Sequence, residues 1–256
     1  MVVAHPDDDA YGAAGAVALH AADPGFRFIL IHATDGGSGD IRPGFPATRE
    51  SLGRIRMQED QDAWRAVCRS PDRHEWLGFP DGEVDRVPLD QLTDAVGQIL
   101  DEEQPTVVST FGPDGVFGHP DHIAIGAATD AAFLRSARES GTGFRRLLHS
   151  VLPESVFQRW NDQRRDLGLK VFDPSAMYHM RGVPDEQIGL TLDCRPVADR
   201  IVAGLQQHRS QHHVMSDDPE DTDRWRRVTS RSWAVVAWPP RSPSAPMLTD
   251  IFEGLP

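Results

Sequence analysis

Two short segments, Ala4-His5-Pro6-Asp7-Asp8-Asp9 and Gly118-His119-Pro120-Asp121-His122, repeat one pattern far apart in the chain. Each carries imidazole and carboxylate groups around a His-Pro-Asp step. Two imidazoles and a carboxylate, with one coordination position left to water, are what a hydrolytic divalent-metal site requires. Such segments also have a bland reading, in which proline takes a first helical position and the acids complement the helix dipole. That reading leaves the histidines unexplained, because His is a poor N-cap and yet stands before proline in both copies. His119 and His122, three apart, share a face at a helix start. Three adjacent carboxylates at 7–9 repel one another, and a cation would relieve the repulsion. The pattern predicts a metal hydrolase.

Both segments follow apolar stretches that read as strands and precede alanine-rich stretches that read as helices. Strands are expected at Val2–Ala4, Phe26–Ala33, Glu75–Phe79, Thr106–Phe111, Leu147–Leu152 and near Ile188–Leu192. Helices are expected at Ala10–Ala22, 47–68, Leu89–Leu100, Asp121–Arg138, Glu154–Leu167 and near Val197–His208. Within 47–68, Leu52, Ile55, Ala63 and Val67 are spaced for one buried stripe. This alternation predicts an α/β fold, a three-layer Rossmann-like arrangement with a mostly parallel sheet and helices on both faces. Ligands of such sheets sit at the carboxyl ends of the strands, where both segments would fall. The first strand is short for a central one. Residues 35–46, rich in glycine and proline, read as a long loop, and 214–224 and 238–247 also read as loops.

The chain has 256 residues, 39% of them hydrophobic, which fits a single domain over 1–256 with residues 178–256 completing the substrate pocket. Its 26 basic residues against 39 acidic ones give a formal charge of −13. That balance disfavours nucleic acid and anionic membrane as partners. No apolar run is long enough to span a membrane and no leader precedes the first motif, so a cytoplasmic location is expected. Cys68 and Cys194 are too few for a disulfide framework or a cysteine-rich zinc site. A Walker-type phosphate loop is absent, and Gly36-Gly37-Ser38-Gly39 departs from the dinucleotide-binding spacing.

These residues resemble the LmbE-like, or PIG-L, family of zinc-dependent N-deacetylases, whose marks are A-H-P-D-D-[ED] near the N-terminus and a later G-H-P-D-H. Thr34-Asp35-Gly36, Arg56-Met57-Gln58-Glu59, Phe79-Pro80-Asp81-Gly82 and His208-Arg209-Ser210-Gln211 add support over most of the chain. The resemblance implies that His5, Asp8 and His122 bind the metal, zinc by expectation, with Fe2+ or another divalent ion as alternatives. It makes Asp7 the general base on metal-bound water. His119, in protonated form, would stabilise the tetrahedral intermediate, and Asp121 would orient a neighbouring histidine. Arg56 and Asp81 match positions that hold substrate hydroxyls. The implied reaction removes an N-acetyl or other N-acyl group from an amino sugar or small-molecule glycoconjugate. The alternatives are an amidase on a larger thiol or glycoside conjugate, and a non-catalytic binding module. A homo-oligomer is compatible with all three.

Two positions depart from the family pattern. Asp9 stands where Glu is commoner, and its shorter side chain would reach a different partner. Phe117 stands where the mycothiol-biosynthetic deacetylase has a tyrosine whose hydroxyl assists at the carbonyl. Only Tyr11 and Tyr178 could replace that phenol. His208 has even standing as a site residue or as a helix-end histidine. His212 and His213 read as surface loop, the six tryptophans as core or groove lining, and Arg226, Arg227 and Arg231 as a solvated patch.

Overall fold

The largely apolar run Ile29-Leu30-Ile31-His32 pairs on both sides, because its side chains are buried on both faces of the ladder. It forms β2, the centre of an all-parallel sheet with β1 (Val2–Val3) and β3 (Arg73–Trp76), in the order β1-β2-β3. In this computed structural model, residues 1–139, 142–216, 218–242 and 244–255 are described. Asp217 and Pro243, within two of the expected loops, lie outside them. A second sheet has the order β4-β5-β7-β6, from β4 (Val107–Phe111), β5 (Arg146–Ser150), β6 (Leu190–Asp193) and β7 (Arg231–Trp238). β4 and β5 are parallel, and β7 runs antiparallel to β5.

The helices are α1 (Asp8–Gly12), α2 (Ala14–His20), α3 (Arg49–Ala66), α4 (Leu89–Glu103), the single turn α5 (Gly115–Gly118) and α6 (Pro120–Glu139). They continue with α7 (Glu154–Asp166), α8 (Ala198–Leu205), α9 (His212–Met215) and α10 (Thr222–Thr229). The α/β class with mostly parallel sheets flanked by helices is as expected, but the strands form two ladders rather than one. The chain divides into two compact units, Met1–Val84 with Leu192–Ser232, and Asp85–Thr191 with Trp233–Pro256. No described helix is long and apolar enough to cross a membrane.

Two expectations fail and one strand went unread, each for an identifiable reason. The helix expected at Ala10–Ala22 breaks at Ala13, whose backbone leaves the helical region at φ −120°. α10 begins inside the acidic stretch 214–224 expected as loop, capped by Asp221, whose carboxylate accepts from the Arg224 N–H at 2.8 Å. β7 begins at Arg231, one of the arginines read as a solvated patch, and its pairing with β5 is a long-range contact that local pattern does not report.

Within the second unit α6 lies close on β4. A Cβ added at Gly126 would come within 2.8 Å of the Phe111 carbonyl oxygen. Gly126→Val is therefore expected to lower stability by about 1–3 kcal/mol. A thermal midpoint equal to that of the wild type would show that the helix has room to move away.

Candidate active site

In the first unit, loops from the carboxyl ends of all three parallel strands converge on His5. The chain leaves β1 at Ala4, whose carbonyl accepts from both the Thr34 N–H and the Thr34 hydroxyl. His5 Nε2 lies 3.0 Å from Asp81 Oδ1, so the ring proton sits on Nε2 and the lone pair on Nδ1. Burial opposes ionisation of Asp81, but the hydrogen bond from His5, supported by the Ser38 N–H and the Arg56 charge, holds the carboxyl at about 2. Asp81 also accepts from the Ser38 N–H at 2.6 Å and from the Thr34 hydroxyl at 3.3 Å. His5 Nδ1 then faces Asp8 Oδ2 at 3.2 Å. Two donors on one tetrahedral ion are separated by about 3.3 Å when each bond is ~2.0 Å. The pair, with a carboxylate bracing the far side of the imidazole, fits a divalent metal.

Asp7 sits beside that pair in a conformation that L residues rarely adopt, with φ 98°. Arg56 holds it there. One guanidinium nitrogen donates to the Pro6 carbonyl at 2.6 Å and to Asp7 Oδ2 at 3.1 Å, and another to the Gly36 carbonyl at 2.9 Å. Gly36 has φ +69°, and a Cβ there would strike the same guanidinium. Burial pushes the Asp7 carboxyl from 3.8 up to about 7, with Arg56 opposing and Asp8 adding to the rise. A carboxylate poised near neutrality is suited to general-base work.

In the second unit the turn after β4 is built around Val116, a β-branched residue at φ 67°. Asp114 caps it by accepting from the Val116 N–H, and the Arg181 N–H donates to the Val116 carbonyl. His122 Nδ1 lies 3.1 Å from the Gly115 carbonyl, which must receive its proton, so the lone pair is on Nε2. The His122 ring stacks on Phe111, centroids 4.0 Å apart, and Phe117 meets it edge-on at 4.7 Å. His119 stacks against His122 at 4.9 Å, and its Nδ1 accepts the Asp121 backbone N–H at 3.1 Å. That contact bears on the expected protonated form. An imidazolium would aim a second N–H at the Asp121 N–H, whereas neutral His119 accepts there and donates from Nε2. Asp121 thereby orients His119 through its main chain.

Arg56 and Asp81, which the resemblance assigns to substrate hydroxyls, spend polar atoms on protein partners, Asp7 and His5. Asp9 is wholly buried and reaches His32 Nε2 at 3.3 Å and the Trp64 indole N–H at 2.5 Å. Glu59 accepts from the Ser210 N–H and hydroxyl at 2.8 and 2.6 Å, which joins two of the supporting motifs. His208 is an interior histidine of the first unit, pulled down to about 4 by burial. The buried face of α3 includes Arg56, Glu59, Asp60 and Trp64, while Ile55 is only half-buried. Leu52, Ala63 and Val67 are buried as the spacing predicts, and beside that apolar stripe the helix also buries polar side chains that the pattern does not report. Sequence reasoning also left Tyr178 unplaced. It stands at φ 62°, more than half exposed, with its ring 5.1 Å from that of His119 in an edge contact. Tyr11 instead stacks with Trp225 in the first unit.

The family profile described as PIG-L, GlcNAc-PI de-N-acetylase, matches residues 1–133. A Bacillus cereus protein named "Probable N-acetyl-alpha-D-glucosaminyl L-malate deacetylase 2" is 34% identical, over 93% of this chain and 92% of its own. The 1D-myo-inositol 2-acetamido-2-deoxy-alpha-D-glucopyranoside deacetylase 2 of Saccharopolyspora erythraea is 30% identical, over 85% and 84%. Among solved structures, the 4-carboxy-2-hydroxymuconate hydratase of Pseudomonas putida KT2440 matches with a TM-score of 0.62 at 17% identity, over 94% and 96%. This last likeness establishes the fold and nothing about the reaction, since one fold hosts several chemistries.

Proposed function

Because the chain belongs to the PIG-L family of GlcNAc-PI de-N-acetylases, we propose that it hydrolyses the N-acetyl group of an N-acetylglucosaminyl conjugate, with a divalent metal held by His5, Asp8 and His122. The observation that carries this reading is the placement of Asp7, a strained carboxylate clamped by Arg56 next to the His5–Asp8 donor pair. Zinc is the metal proposed, with iron as the alternative, and residues 1–256 are taken as one catalytic domain. When bound, the ion would activate water and polarise the amide carbonyl.

The chain's own groups do the rest. Asp7 accepts the proton of the attacking water as its oxygen bonds to the acetyl carbon. His119 donates a hydrogen bond from Nε2 to the carbonyl oxygen as negative charge gathers there. Asp121 fixes His119 in the form that can do so. Asp7 then delivers the proton to the nitrogen as the C–N bond breaks, giving acetate and a free amine. No covalent intermediate is needed. Arg56 and Asp81 act first as positioning residues for Asp7 and His5, and contact with sugar hydroxyls adds to those duties. The acidic balance of the chain disfavours nucleic acid and anionic membrane and so supports a small-molecule substrate, and a cytoplasmic location is part of the proposal.

Tyr178 supplies the phenol that Phe117 lacks. Tyr178→Phe is expected to lower kcat on the order of 10²-fold with little change in KM, the effect of losing one donor to the oxyanion. An unchanged kcat would remove Tyr178 from the reaction. The proposal as a whole is tested by incubating the zinc-loaded protein with N-acetylglucosaminyl inositol, N-acetylglucosaminyl malate and an amide of a thiol conjugate. Acetate release from either of the first two is expected. Cleavage of the conjugate amide alone would favour the amidase.

A further inference from the structure

A second group of metal-ligating side chains lies within the first unit and takes no part in the chemistry above. His32 on β2 and His74 on β3 are diagonal neighbours across the parallel ladder, and Asp60 on α3 packs over them. One ligand atom from each lies within 4.8 Å of the others. His32 Nδ1 is 3.0 Å from His74 Nε2, and His74 Nε2 is 3.5 Å from Asp60 Oδ2. These separations bracket the ~3.3 Å edge of a tetrahedron of donors around one ion.

Asp60 is the independent sign. It is wholly buried, and no N–H or hydroxyl group donates to either carboxylate oxygen; its nearest acidic neighbour is Asp9. A buried carboxylate in that condition requires a cation or a proton. Burial and the neighbouring Asp9 push the Asp60 carboxyl well above its ordinary value, so the proton is the competing occupant, and it is the two imidazoles beside it that point to the cation. His32 Nε2 faces Asp9 Oδ1 at 3.3 Å, and Asp9 is anchored in turn by the Trp64 indole. A carboxylate behind an imidazole fixes its tautomer and turns Nδ1 outward as a ligand. Trp76 stacks on the His32 ring at 4.3 Å and packs against His74 at 4.7 Å, which holds both ring planes. His74 is partly exposed, with 15% of its side chain accessible, and gives an ion a way in.

We propose that His32, Asp60 and His74 form a second site for a divalent transition metal, separate from the His5–Asp8 pair. Two imidazoles and one carboxylate select zinc, cobalt or nickel over magnesium or calcium. The site ties β2, β3 and α3 together, so its role is to brace the scaffold, whatever the reaction proves to be.

The test is zinc stoichiometry by equilibrium dialysis of the full-length chain, with circular dichroism confirming the fold. The wild type is expected to hold two equivalents, and His5→Ala one. Asp60→Asn and His74→Gln, each near-isosteric, are expected to hold one. His5→Ala combined with either is expected to hold none. In the His5→Ala protein, Co2+ should give a tetrahedral visible band that Asp60→Asn abolishes. Two equivalents retained by both folded Asp60→Asn and His74→Gln would overturn the proposal. So would a single equivalent in the wild type that His5→Ala removes, and Asp60 would then be a carboxylic acid sharing its proton with Asp9.

Discussion

Asp7→Asn is expected to keep its metal and lose on the order of 10³-fold in kcat, within the range for removing a general base. Asparagine preserves the outline of the side chain but cannot accept the proton of the attacking water. It is also among the few residues that tolerate a positive φ, so the backbone at 98° should persist. Arg56 can still donate to the amide oxygen, and its bonds to the Pro6 and Gly36 carbonyls are untouched. Metal content by mass spectrometry and kcat at saturating substrate are the two measurements. Turnover within tenfold of the wild type would end the general-base assignment.

His5→Ala is expected to lose both the metal of this site and all measurable deacetylation. It should also change how the apoprotein responds to acid. Asp81 has a folded-state pKa of about 2 against an ordinary 3.8, and the His5 hydrogen bond is the leading cause of the depression. The folded protein therefore binds fewer protons than the unfolded chain between those values. The stabilisation is present above pH 4 and is lost as the pH falls towards 2, on the order of 2 kcal/mol. Without His5 the carboxyl keeps the Ser38 and Thr34 donors but not its principal partner. Denaturant titrations of the two apoproteins across pH 5 to 2 should show a shallower decline for the variant. Parallel declines would mean that Asp81 draws its low pKa from elsewhere.

Much of this was legible in the sequence, and the failures are instructive. The strand-to-helix alternation and the two His-Pro-Asp steps placed the chemistry at the carboxyl ends of strands because those signals are local. Nothing local foretold that Asp81 would brace His5, since that contact joins loops after β1 and β3. Tyr178 escaped for the same reason, because its relation to His119 depends on how the segment after α7 returns to the turn before α6. The apolar part of the buried face of α3 was legible, but its polar part was not, because periodicity searches weigh apolar residues and Arg56, Glu59 and Asp60 register as surface. For α10 the signal was available, an N-capping Asp221 followed by Trp225 and Thr229 one turn apart, both buried. Its acidic neighbours outweighed it.

Helix α3 presents Arg56, Asp60 and Trp64 at intervals of four, and each meets a different group beneath: Asp7, the His32–His74 pair and Asp9. The helix thus works as a ruler laid along the sheet, with its three graduations cut to match. A single inserted or deleted residue between them would swing the later marks by about 100° and misalign them together.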